Sequence, residues 1–122
     1  MTVIRSRLAD VPSYVTKDGS SVRELMHPEV HGSVRQSLAE ASVPAGCATL
    51  LHRHQASEEL YHILSGTGRM TLGGEEFAIA PGDTLLIPSG TPHRLRNTGN
   101  EPLRLLCACS PAYRHEDTEV LE

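Results

Sequence analysis

His52 and His54 are separated by one residue, so on an extended strand both imidazoles project from the same face. A short polar break, Gln55 to Ser57, leads to Glu58 and Glu59 and then to a second apolar run, Leu60 to Leu64. That run is expected to return antiparallel beside the first and to bring a carboxylate, from Glu58 or Glu59, back toward both rings. His93 follows Pro88-Ser89-Gly90-Thr91-Pro92, a turn whose two prolines restrict where its ring points. Three neutral imidazoles and one carboxylate make a borderline nitrogen and oxygen donor set, suited to iron, manganese, nickel or zinc. Calcium and magnesium prefer all-oxygen shells and are disfavoured.

These residues fall in two spaced blocks. Gly46, His52, His54, Glu59 and Gly66 match G-x5-H-x-H-x4-E-x6-G, and Gly82, Pro88, Gly90, His93 and Asn97 match G-x5-P-x-G-x2-H-x3-N. In both blocks the chain resembles a small single-domain cupin, over residues 46 to 97. The resemblance implies that His52, His54, Glu59 and His93 ligate one divalent transition metal ion. Only Glu59, and not Glu58, keeps the six-residue gap to Gly66.

A chain of 122 residues is expected to form one domain with one core. With no Trp, one Phe and three Tyr, that core must be mainly aliphatic, and a stacking platform for bases is not expected. The net charge of −4 gives no electrostatic footprint for nucleic acid or anionic lipid. Neither a secretory h-region nor a stretch of about 20 apolar residues is visible, so a cytoplasmic protein is expected. Cys107 and Cys109 lie two apart on one expected strand, poorly placed for a disulfide, and one face of that strand is a candidate pocket lining.

The elements that must position the donors read as short strands. Residues 1 to 32 form an N-terminal arm punctuated by turns at Asp10-Val11-Pro12, Lys17-Asp18-Gly19 and His27-Pro28-Glu29, with a short strand at Val22 to Met26. Such an arm is expected to pair with its own sheet or with a second subunit, and His27 and His31 within it read as exposed loop histidines. From residue 33 to residue 110, strands are expected at Ser33 to Ser42, Cys47 to His54, Glu59 to Leu64, Arg69 to Leu72, Glu75 to Ala80, Thr84 to Ile87, His93 to Asn97 and Leu103 to Cys109. Gly73-Gly74 signals a two-residue hairpin. Residues 111 to 122, with Tyr113 and His115, read as a polar, solvated tail. The fold class is all-β, closed as a jelly-roll barrel (double-stranded β-helix), and the family resemblance implies the same.

Period-2 alternation places Ala48, Leu50, Tyr61, Ile63 and Leu95 in the lumen with the donors. His62 points away from it. The apolar outer face, with Leu60 and Leu64, calls for a cover, and a homodimer is the expected one. Four protein donors on a six-coordinate ion leave two positions open, which marks a catalytic metal. The expected function is a metal-dependent enzyme acting on a small organic molecule. The resemblance implies dioxygenase or oxidase chemistry first, and isomerase, lyase or cyclase chemistry at a Lewis-acid metal as the alternative. A non-enzymatic small-ligand sensor is the competing class. Tyr61 is the candidate catalytic proton donor in the lumen.

Overall fold

Alternation of buried and exposed side chains carries the chain through eleven strands in a computed structural model that describes residues 1–122. They are β1 (Tyr14–Val15), β2 (Ser21–Met26), β3 (Ser37–Val43), β4 (His52–His54), β5 (Glu58–Ser65), β6 (Gly68–Leu72), β7 (Glu75–Ile79), β8 (Thr84–Ile87), β9 (His93–Asn97), β10 (Leu103–Ser110) and β11 (Thr118–Val120). The one α-helix, α1 (Pro28–His31), is a single turn. All ladders are antiparallel and form two sheets, ordered β1-β2-β3-β10-β5-β8 and β11-β4-β9-β6-β7. Two facing antiparallel sheets with crossing connections make the expected jelly-roll barrel.

The inner faces supply the core. On β3, Ser37, Ala39, Ala41 and Val43 are buried while the residues between them are not. Ile63, Met70, Ile79, Ile87, Leu95, Leu103 and Leu105 fill the space between the sheets. This is the aliphatic core that the composition requires, each such side chain contributing about 1.5–3 kcal/mol by burial. The hairpin at Gly73-Gly74 forms as expected, closing the Leu72↔Glu75 pair with Gly73 at φ +59°. The N-terminal arm pairs with its own sheet through β2 and β3.

Three local expectations are corrected. The run after His54 does not return beside β4: β5 lies in the opposite sheet, between β10 and β8, and β4 lies between β11 and β9. The break at 55–57 is therefore a crossing from one sheet to the other, and Glu59 approaches the histidines from across the barrel. Second, only His52–His54 of the stretch 47–54 is laddered. Ala48 makes an isolated bridge to Arg96, and the Leu50 N–H bonds to the Asp18 carbonyl at 2.8 Å, so the alternation resets before His52. Thr49 is consequently buried and Leu50 is 41% exposed, the reverse of the expected phase. Third, residues 118–120 form β11 along β4, with Thr118↔His54 and Val120↔His52 in register. Asp117 and Thr118 are buried, because the Asp117 carboxylate accepts from the Ala56 and Ser57 amides at 2.9 and 3.1 Å and so fixes the crossing loop.

Candidate metal centre

The strands bring His52, His54, Glu59 and His93 together at the inner wall of the barrel. His52 and His93 face each other as register partners on β4 and β9, and His54 lies one alternation further along β4. One ring nitrogen of each histidine lies within 4.8 Å of the others. Glu59 Oε1, from β5, is 3.2 Å from His54 Nε2 and 3.4 Å from His93 Nε2. All four residues are buried, whereas Glu58 is exposed on the other face of β5.

Hydrogen bonds on the far side of each ring orient it. His52 Nδ1 meets the Leu50 carbonyl at 2.6 Å and His93 Nδ1 meets the Thr91 carbonyl at 2.9 Å. A carbonyl only accepts, so Nδ1 carries the proton in both rings, and in the neutral form the Nε2 lone pair faces inward. His54 Nδ1 lies 3.1 Å from Thr118 Oγ1, whose hydroxyl donates to the Arg114 carbonyl and is free to accept from the ring. Glu59 is held from behind by the Cys109 thiol, which donates to Oε2 at 3.3 Å. Neither His93 Nε2 nor Glu59 Oε1, both buried, has a hydrogen-bond partner. Buried polar atoms are rarely left so, and a cation between them satisfies both.

The electrostatics fit a site built for positive charge. Burial lowers the His52 pKa, with His93 adding to the shift. For His54 burial acts in the same direction, but Glu59, Asp117 and Asp18 outweigh it and raise the pKa. Burial would raise the Glu59 carboxyl, yet the facing His54 and His93, whenever a proton sits on Nε2, outweigh burial and hold it at about 2. Tyr61, lining the pocket with its ring centroid 5.9 Å from that of His93, is pushed well above its usual value by burial and by the Glu59 charge.

Several residues at this site lie outside the sequence expectations. Asp18 Oδ2 stands 3.2 Å from His52 Nε2. Its only sequence signal is turn chemistry beside Gly19, and 34 positions separate it from His52. Tyr113, expected in a solvated tail, packs its ring edge-on against His54 with centroids 5.9 Å apart and lines the same pocket. Cys107 and Cys109, by contrast, line it on one face of β10, as expected of that strand. Of the expected lumen residues, Tyr61 and Leu95 line the pocket and Ile63 is in the core, but Ala48 is half-buried and Leu50 faces outward. His27 is not an exposed loop histidine. It is buried, caps α1 by accepting from the Glu29 amide and donates through Nε2 to the Tyr113 carbonyl at 2.7 Å. His31 accepts from the His27 amide and does not line the pocket. His62 points away from the lumen and bonds Thr84 Oγ1.

The family model described as "Cupin domain" matches residues 39–109. The chain belongs to the cupin family. Over its full length this cupin is 53% identical to an uncharacterised protein of Methanocaldococcus jannaschii, covering 98% of that protein. It is 31% identical to the polyketide synthase protein CurC of Streptomyces cyaneus, over 98% of this chain and 82% of that one. Its fold superposes with a TM-score of 0.76 on a predicted oxalate decarboxylase of Thermotoga maritima, at 26% identity over 90% of this chain and 99% of the other. The cupin fold and the cluster of three histidines together point to a divalent metal.

Proposed function

We propose that this cupin is a metal-dependent enzyme acting on a small, oxygen-rich organic molecule, with His52, His54, Glu59 and His93 as metal ligands. The observation that carries the reading is the pair of buried, unpartnered atoms, His93 Nε2 and Glu59 Oε1, beside a pocket that Tyr61 also lines. A bound divalent ion, iron, manganese, nickel or zinc, supplies Lewis-acid polarisation of a substrate oxygen. The name of the Thermotoga relative, a predicted oxalate decarboxylase, supports Lewis-acid chemistry of the lyase type ahead of the dioxygenase or oxidase chemistry that the family resemblance placed first. Polyketides and oxalate share carbonyl or carboxylate oxygens that such an ion polarises.

The chain's own residues divide the remaining work. Glu59 contributes one negative charge, and Cys109 and Thr118 hold Glu59 and His54 in place. Tyr61 keeps its proton at neutral pH and is the donor toward a substrate oxygen. The apolar wall of Val22, Ala39, Ala41 and Leu105 excludes water from that step. The test is turnover of 1,3-dicarbonyl compounds and oxalate by metal-loaded protein, with and without O₂. Conversion under anaerobic conditions, abolished in His93→Ala and reduced in Tyr61→Phe, is expected. Conversion only with O₂ assigns the oxidase chemistry instead, and tight binding with no conversion in either atmosphere makes the protein a sensor.

The assembly belongs to the same proposal. A homodimer covers the outer face of the six-stranded sheet, where Leu38, Leu60 and Leu86 are exposed.

A further inference from the structure

We infer that Asp18 is a fifth protein donor to the metal, so that five of six coordination positions are filled by the chain and the substrate enters through one. The inference rests on the four-ligand reading above. Asp18 Oδ2 lies 3.2 Å from His52 Nε2. Because His52 Nδ1 must donate to the Leu50 carbonyl, the neutral ring turns a lone pair toward Oδ2, and two lone pairs at that distance share no proton. A cation between them turns a repulsive contact into an attractive one. Two donors held at right angles about 2.1 Å from one ion stand about 3.0 Å apart, and at the tetrahedral angle about 3.4 Å. The Asp18–His52, Glu59–His54 and Glu59–His93 separations of 3.2, 3.2 and 3.4 Å all lie in that range.

The turn that carries Asp18 is built to aim it. Oδ1 accepts from Thr16 Oγ1 at 2.6 Å, from the Ser20 amide at 2.8 Å and from Ser20 Oγ at 2.6 Å, so that oxygen is fully engaged and Oδ2 alone is left for the pocket. Gly19, at φ +91°, makes the turn without strain. The Asp18 carbonyl accepts from the Leu50 amide, and the Leu50 carbonyl in turn holds His52, so the N-terminal turn and the histidine strand are fastened at the same residue.

The test counts water on the metal. Water-proton relaxation of the Mn²⁺-loaded wild type is expected to report one exchangeable inner-sphere water, and Asp18→Ala two, with metal affinity lowered at least about tenfold in a chelator competition. The Co²⁺ absorption spectrum is expected to change in Asp18→Asn. Two waters in the wild type, or an affinity and Co²⁺ spectrum unchanged in Asp18→Asn, overturn the inference, and Asp18 then serves only to build the turn at residues 16–20 beside His52. The wild-type water count needs no variant, so misfolding of Asp18→Ala does not leave the matter open. His93→Ala separates the two readings: if that variant keeps its metal, the four-ligand site itself fails, whereas loss of metal there together with two wild-type waters removes only Asp18.

Discussion

The proton is the metal's competitor at each imidazole, and the site's charges decide where that competition bites. His52, with its pKa lowered by burial, takes up a proton only below the ordinary imidazole value. His54 is different, because Glu59, Asp117 and Asp18 raise its pKa above the ordinary 6.5 against the effect of burial. Its proton must leave for metal to bind, so affinity is full above the raised His54 value and falls as pH drops through it. Glu59, at about 2, remains ionised throughout. Titration of metal binding by calorimetry from pH 8 to pH 5 should show this loss, with proton release on binding increasing as the pH falls through the raised His54 value. A flat profile across that range contradicts the His54–Glu59 pairing. At the same scale, Cys109→Ala removes the thiol that holds Glu59 Oε2 and should weaken metal binding, while Cys47→Ala, at an exposed position, should not. The cluster of His52, His54, Glu59 and His93 was legible in the sequence because their spacing is local, two blocks of known pattern. Asp18 was not, since its place beside His52 is made by a contact across the barrel that no spacing records.

Elements matter here through how they fix those donors. β11 runs along β4, and Thr118 bonds His54, so the last strand orients a ring on its neighbour. Thr118→Val keeps the shape and removes the hydroxyl; metal affinity should fall about tenfold to a hundredfold, with the strand retained by circular dichroism. Unchanged affinity would show that the ring needs no such partner. Gly66, which ends β5's motif, sits at φ +91°, and a Cβ there would meet the Leu103 Cα and the Pro102 carbonyl oxygen at 2.9 Å. Gly66→Ala should therefore cost about 1–3 kcal/mol in chemical denaturation. Short strands and the glycine hairpin were readable because alternation and turn residues are local signals. The pairing of β5 with β10 and β8 was not, because a polar break looks the same whether the chain turns back or crosses to the facing sheet. The strand at 118–120 was hidden by its polarity: Asp117 and Thr118 are buried by hydrogen bonds to the crossing loop and to His54, not by apolar contact.

Across the whole molecule, the two sheets enclose the site and leave one apolar face unclosed. Leu60 pairs with Leu86 across β5 and β8, and Leu60 and Leu38 both flank Ala108 of β10. Leu60 and Leu86 are 43% and 53% exposed, so the row lies open across the six-stranded sheet. Sedimentation should report a dimer at micromolar concentration, and Leu60→Asp should shift it to monomer without loss of bound metal. A wild-type monomer removes this interface. Elemental analysis of untagged protein beside three variants reads directly whether the four side chains hold a metal. About one divalent ion per chain is predicted for the wild type and for Glu58→Gln, with most of it lost in His93→Ala and Glu59→Gln while the β-sheet spectrum is kept. Near-stoichiometric metal in His93→Ala, or loss in Glu58→Gln with retention in Glu59→Gln, would rule out a metal held by His52, His54, Glu59 and His93.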